Sequence, residues 1–299
     1  MRATIQLCTY NRARLLERVL DACFEQTVDP GMYEVVLVND GSTDATPDVI
    51  ERARTRASMP FTVIDQPNSG LAKGRNAGIA ASRGDRIIFI DDDVLPLPDF
   101  VEQHLRSHDR APRAIVRGAA INVESFEDLP PPIWTLANYS GNYFWTTNVS
   151  VPLQTIRAIG GFNETFAEYG WEDIDVGLRL RFGAVRAVFN RRALAFHYKP
   201  RPRTGDVEKM VRQARAQART AVQLARLHPH WRTLLATGDN PLVRTFHRLV
   251  RGGGAVARAR AALGDLHDDR ALDKRALRAA HTLAAGAYFE ELERVRSLT

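Results

Sequence analysis

Three observations predict an α/β protein built on a doubly wound, mostly parallel open sheet with flanking helices and a C-terminal helical extension. Between residues 3 and about 118, short β-branched runs alternate with helix-length amphipathic segments, the pattern of consecutive βαβ units. Each apolar strand ends in a polar, often acidic segment. From Thr204 onward the composition shifts to Ala, Arg and Leu, which favour helix.

In chain order, strands are predicted at 3–8, 34–38, 61–65, 86–90 and 114–117, with helices at 14–25, 45–57 and 71–82 between them. The helix at 45–57 is expected to start from the turn at Asp44 to Pro47. Residues 119–203 break the alternation. They carry Pro130, Pro131 and Pro132, an aromatic stretch from Trp134 to Trp145, and a Gly160-Gly161 pair, and read as a second half on the same sheet. In the tail, 206–228, 241–262 and 267–296 read as helices, separated by Pro, Gly and Asp-Asp.

With 299 residues, 44% hydrophobic and 25% charged, the chain can bury a substantial core. Two cysteines are too few for a disulfide framework and read as small buried hydrophobes. No secretion signal opens the sequence and no apolar run is long enough to span a bilayer, so a cytoplasmic protein, at most peripheral at the inner membrane face, is expected. Residues 1–203 hold 24 Lys/Arg against 25 Asp/Glu, and 204–299 hold 17 against 10, so the tail carries a net +7. Arg212, Arg215, Arg219 and Arg226 fall on one helix with Val211, Ala218 and Leu224, a basic amphipathic face suited to a membrane surface, to self-association or simply to solvent. Nucleic acid is not expected as a partner, because the tail places only Trp231, Phe246, Tyr288 and Phe289 among its basic residues.

In open α/β sheets ligands collect beyond the carboxyl ends of the strands. Those ends carry Thr9 to Arg12, Asn39 to Asp44, Gln66 to Gly70 and the triplet Asp91, Asp92, Asp93. Three adjacent carboxylates are costly unless a cation neutralises them, and Mg²⁺ or Mn²⁺ beside a diphosphate suits hard oxygen ligands. A second acidic group, Glu172, Asp173 and Asp175, opens a helix that runs to Arg181. Such acids also favour a helix N-terminus for its dipole alone, and Asp40 to Asp44 could be merely a helix-capping turn. The rings of Trp134, Tyr139, Tyr143, Phe144 and Trp145 could stack on sugars, with at least half of them expected in the core.

Five segments, taken in order, resemble family 2 glycosyltransferases with the GT-A fold. They are Thr9 to Arg12, Val38 to Asp44, Gly70 to Gly78, Gly84 to Asp93, and Gly160 to Glu164 leading into Gly170 to Asp175. The resemblance covers about residues 3–200. It implies a catalytic domain over 1–203, with a nucleotide-binding half at 1–118 and an acceptor-binding half at 119–203, followed by the basic helical extension 204–299. The implied activity is transfer of a sugar, by inversion, from a nucleotide-diphospho-sugar, typically a UDP-sugar, to a hydroxyl of a carbohydrate, lipid-linked or small-molecule acceptor. By the same resemblance Thr9, Asn11 and Arg12 line the base and diphosphate pocket, Asp40 accepts from the nucleobase, and Arg75 approaches the ribose or diphosphate. Asp91 contacts the ribose side, Asp92 fills the middle donor-site position, and Asp93, with His197, holds Mn²⁺ or Mg²⁺. Asp173 is the implied base, and Glu172 an acceptor- or sugar-binding acid. A nucleotidyltransferase of similar layout would need a glycine-rich phosphate loop after the first strand, which Thr9 to Ala13 lacks. A non-catalytic nucleotide-sugar or nucleic-acid-binding module is the other alternative.

Overall fold

The computed structural model describes residues 1–251, 253–264 and 269–298. The chain divides into two compact units, one of Met1–Thr165 with Glu172–Pro200 and one of Phe166–Trp171 with Arg201–Thr299.

The first unit is an eight-stranded mixed sheet. In chain order its strands are β1 (Ala3–Thr9), β2 (Tyr33–Asn39), β3 (Phe61–Asp65), β4 (Arg86–Phe89), β5 (Val94–Pro96), β6 (Ile115–Val123), β7 (Val149–Pro152) and β8 (Ala187–Tyr198), arranged 3-2-1-4-7-6-8-5. Strands β3, β2, β1 and β4 run parallel. The antiparallel β7 joins them to the parallel pair β6 and β8, and β5 lies antiparallel on β8. All seven residues of β2 are buried, as expected of a parallel strand covered on both faces. Successive residues of β4 feed opposite faces: Ile88 joins one apolar cluster, and Ile87 and Phe89 the other.

Helices α1 (Ala13–Phe24), α2 (Thr46–Arg54), α3 (Leu71–Ala81) and α4 (Phe100–Arg110) cover the sheet. On α1, Leu16, Val19, Leu20, Cys23 and Phe24 are buried, the stripe of a helix with one apolar face. Helix α3 lies so close to the sheet that a Cβ on Gly74 would sit 3.1 Å from the Cys8 sulfur, and one on Gly78 would meet Gln6. Burial pushes the Cys8 thiol up to about 12, and raises Cys23 as well. Two further helices, α5 (Leu153–Ala158) and α6 (Glu172–Phe182), complete the unit.

Because the chain leaves β1 toward β2 and β3 and returns on its other side with β4, the carboxyl ends of β1 and β4 flank a topological switch point, where α/β sheets open a crevice. Strand β8 is less regular. Arg117 of β6 faces Phe189, but Ala119 faces Leu194, so residues 190–193 are looped out of the ladder as a bulge.

The second unit contains α7 (Asp206–Leu227), α8 (Trp231–Ala236), α9 (Pro241–Arg251), α10 (Gly253–Leu263) and α11 (Lys274–Ser297). Val207, Leu263, Leu272, Ala276, Ala280 and Leu283 form one of its cores. Segment 166–171 belongs here because Trp171 Nε1 donates to the Gln217 carbonyl at 2.7 Å and Arg219 pairs with Glu168 and Glu291. The basic face expected on this helix is therefore partly neutralised, since Arg212 and Arg215 also approach Glu208 and Glu290. Residues 267–268 of the third predicted tail helix, and Gly252, lie outside the described residues. No helix among the described residues is long and apolar enough to cross a membrane.

Candidate active site

Every first-unit residue expected at the site lies around the carboxyl ends of β1, β2, β4 and β8 or at the start of α6. Arg75 of α3 is the centre of the cluster. The residue is 4% exposed, and its guanidinium donates to Glu172 at 3.0 Å, to Asp91 at 3.2 Å and to the Thr146 hydroxyl at 2.7 Å, with Cζ over the Phe162 ring. Burial opposes its charge, but Asp91 and then Glu172 overcome this and hold its pKa above the ordinary arginine value. One buried cation thus ties the end of β4 to the beginning of α6.

The three aspartates divide their partners. Asp91 accepts from Arg75 on one oxygen and from the Thr147 hydroxyl, at 2.9 Å, on the other. Asp92 accepts from Thr9 at 2.8 Å and approaches Arg12 at 3.6 Å, and burial pushes it up to about 7 despite that cation. Asp93 faces His197 Nε2 at 3.7 Å and Arg12 at 3.5 Å; burial and then Asp91 raise its pKa. His197 is oriented by Asn122, whose side-chain oxygen is 3.1 Å from Nδ1, and packs edge-on to Trp145.

The acids of α6 are divided in the same way. Glu172 is held by Arg75. Asp175, 1% exposed, is clamped by Arg179, which also donates to the carbonyls of Ile159 and Gly161. Asp173 has no such cation in contact among the described residues, although the Arg75 charge is near enough to lower its pKa somewhat. Burial first, and then Glu172, push its carboxyl up to about 7, a value suited to taking a proton near neutrality.

Asn11 and Asp40 work on the backbone. Asn11, at a φ of 53°, accepts from the Thr43 and Asp44 amides and shapes that turn. Asp40 spends one oxygen on Gln66 and Ser69 and the other on the Gly70 amide, fixing the loop that starts α3. Of the aromatic stretch, Phe144 is fully buried, Tyr143 is partly buried against the same core, and Trp134 and Tyr139 pack on Phe189. Only Trp145 stands beside an expected site residue, His197. Asn122 carries a role that no motif announces, and the Thr146 and Thr147 partners, Arg75 and Asp91, lie far off in the sequence, since a hydroxyl or amide gains meaning only from the charged group it meets.

Asp93 and His197 offer one hard oxygen donor and one imidazole to a divalent cation. No group of three or more His, Cys, Asp or Glu side chains among the described residues is arranged to enclose one. A carboxylate oxygen and an imidazole nitrogen are donors that Mn²⁺ or Mg²⁺ would accept.

Residues 4–160 match the sequence profile of glycosyl transferase family 2. A validoxylamine A glucosyltransferase from Streptomyces hygroscopicus subsp. limoneus is 28% identical over 224 residues, covering 63% of this chain and 49% of its own. The chain thus spans about half the length of that curated relative. Among solved structures, residues 1–349 of S. aureus TarS superpose with a TM-score of 0.59 at 18% identity, over 100% of this chain and 92% of that one; the same fragment has been solved with UDP-GlcNAc. A mannosyltransferase from Pyrobaculum calidifontis, solved with GDP-Man and Mn²⁺, gives 0.59 at 20% identity over 100% of this chain and 83% of its own. These likenesses show the GT-A fold, and with more than half its length matched by the profile the chain belongs to glycosyl transferase family 2.

Proposed function

We propose that the protein transfers a hexosyl group from a nucleotide-diphospho-sugar, a UDP-sugar, to an acceptor hydroxyl with inversion, and that residues 1–203 form the catalytic domain. The observation that carries this reading is the Arg75 bridge between Asp91 and Glu172, because it brings a donor-side acidic turn and an acidic helix start to one place. The complexes of related folds with UDP-GlcNAc and with GDP-Man and Mn²⁺ support a nucleotide-sugar donor.

In this reading Asp93 and His197 would hold Mn²⁺ or Mg²⁺. When bound, the ion offsets charge that builds on the leaving nucleoside diphosphate. Arg12, near Asp92 and Asp93 and 43% exposed at its side chain, is free to turn toward phosphate. Thr9 fixes Asp92, while Asn11 and Asp40 shape the two loops that receive the nucleotide. Asp173 removes the acceptor hydroxyl proton as the oxygen attacks the anomeric carbon and the C–O bond to the diphosphate breaks. Glu172, committed to Arg75, is the weaker candidate for that proton.

A calorimetric screen of UDP-, GDP- and dTDP-sugars with and without Mn²⁺ tests the reading. The expected result is UDP-sugar binding that weakens sharply without metal. Absence of binding, or binding that ignores both metal and Asp93→Ala, overturns it.

A further inference from the structure

A second concave site lies at the other end of β8. Along β6, Arg117 pairs with Phe189 and Asn122 with His197, so five residues, or about 17 Å of strand, separate this site from the Asp93 cluster. The groove encloses about 700 Å³ between the C-terminal half of α4, the start of β8 and the loop bearing Trp134. Arg106, Arg110, Arg186, Arg191 and Arg192 line it, and no Asp or Glu among the described residues does. Arg106 has a carboxylate neighbour in Glu102, one turn back on α4 and outside the lining.

The arrangement is built rather than incidental. The bulge at 190–193 turns Arg191 and Arg192 outward. Asn190 fastens that bulge to α4 by donating to the Gln103 carbonyl and the Ser107 hydroxyl, each at 2.9 Å, while its own oxygen accepts from the Arg192 amide. Trp134 packs on Phe189, with its indole N–H buried and without a hydrogen-bond acceptor among the described residues. On either side of Trp134, following three successive prolines, Ile133 is 67% and Leu136 81% exposed.

We propose that this face docks on an anionic phospholipid surface, with one phosphate headgroup seated among the guanidiniums and Ile133 and Leu136 entering the acyl boundary. Guanidinium forks match phosphate oxygens. Indole and exposed aliphatic side chains beside basic residues are the composition of an interfacial anchor. A single-stranded nucleic acid would ask for a row of stacking rings, and the lining supplies only Trp134 and Phe189. This inference does not depend on the proposed reaction.

The test is co-sedimentation of the whole chain with vesicles of phosphatidylcholine alone or with one-third phosphatidylglycerol, at low ionic strength. The expected result is partitioning onto the anionic vesicles only, reduced about thirtyfold by Arg191→Gln with Arg192→Gln, and reduced also by Ile133→Ser with Leu136→Ser, with unchanged circular dichroism in both variants. Partitioning that either pair leaves unaltered assigns the attraction elsewhere, the basic tail included, and overturns the proposal. So does release by inorganic phosphate that potassium chloride of equal ionic strength fails to match, because the groove then takes a free anion rather than a headgroup.

Discussion

The two acidic clusters of the first unit, Asp91 to Asp93 and Glu172 to Asp175, solve one electrostatic problem by the same device. In each, most carboxylates are tied by a hydrogen bond of about 3 Å to a cation or hydroxyl, and one has only longer contacts or none among the described residues. Asp91 is bound by Arg75 and Thr147, and Asp92 by Thr9; in the other cluster Glu172 goes to Arg75 and Asp175 to Arg179. Asp93 and Asp173 remain; burial raises the pKa of both, as it does that of Asp92. They differ in what faces them. Asp93 looks at an imidazole and a half-exposed arginine, the company of a metal and phosphate ligand, whereas Asp173 looks at another acid, which suits a group that must accept a proton.

The largest expected effect falls on the second cluster. Asp173→Asn should lower turnover by about 10² to 10⁴-fold with donor affinity retained, measured by single-turnover assay beside calorimetry. In the wild type kcat/KM should fall as pH drops below about 7, where Asp173 takes up its proton. Retained turnover in Asp173→Asn, with loss in Glu172→Gln, would reverse the two roles. Next, Asp93→Ala should weaken metal-dependent donor binding by about a hundredfold and make affinity indifferent to Mn²⁺, separating ligand from base.

The anchored acids should respond in stability instead. Asp175→Asn leaves Arg179 short of its partner in a buried setting and should cost about 3 kcal/mol, seen as a shifted urea midpoint with donor affinity unaltered. The smallest effect sharpens the contrast. The Asp173 carboxyl titrates higher in the folded chain than in the unfolded one, so its protonated form favours folding and that contribution is lost as pH rises from about 4 to 7. Asp173→Asn should therefore stabilise the chain at pH 8 by on the order of 1 kcal/mol and do nothing at pH 4. Equal urea midpoints for variant and wild type at pH 8 would mean that the buried charge costs the fold nothing.

What could be read in the sequence follows the range of the interactions. Strands β1 to β4 and their helices announce themselves by local periodicity, and the switch-point rule marks their carboxyl ends as a cleft before any coordinate is known. The edge strand β5 is three residues long and shows no clear period, and a bulge hides the first half of β8, whose apolar end at 193–198 still reads as strand. Arg75 could be picked out as a candidate by resemblance but not as a bridge, because Glu172 is 97 positions away. Nor could the sequence show that Asp40 serves the 66–70 loop with both oxygens, or that Phe166–Trp171, adjoining the α6 acids, groups with α7 and α11. Those pairings depend on folded proximity, and composition carries no trace of it.

The packing of α3 onto β1 has a practical consequence. With Gly74 against the Cys8 sulfur and Cys23 inside the α1 core, burial leaves neither thiol appreciably ionised at neutral pH, and the thiolate is the form that alkylating and oxidising reagents attack. Reaction at Cys23, which is buried, is disfavoured most, and Cys8, partly buried, is disfavoured by its raised pKa. A single cysteine introduced by Leu136→Cys, at an exposed position, would carry a polarity-sensitive dye without removing either native cysteine.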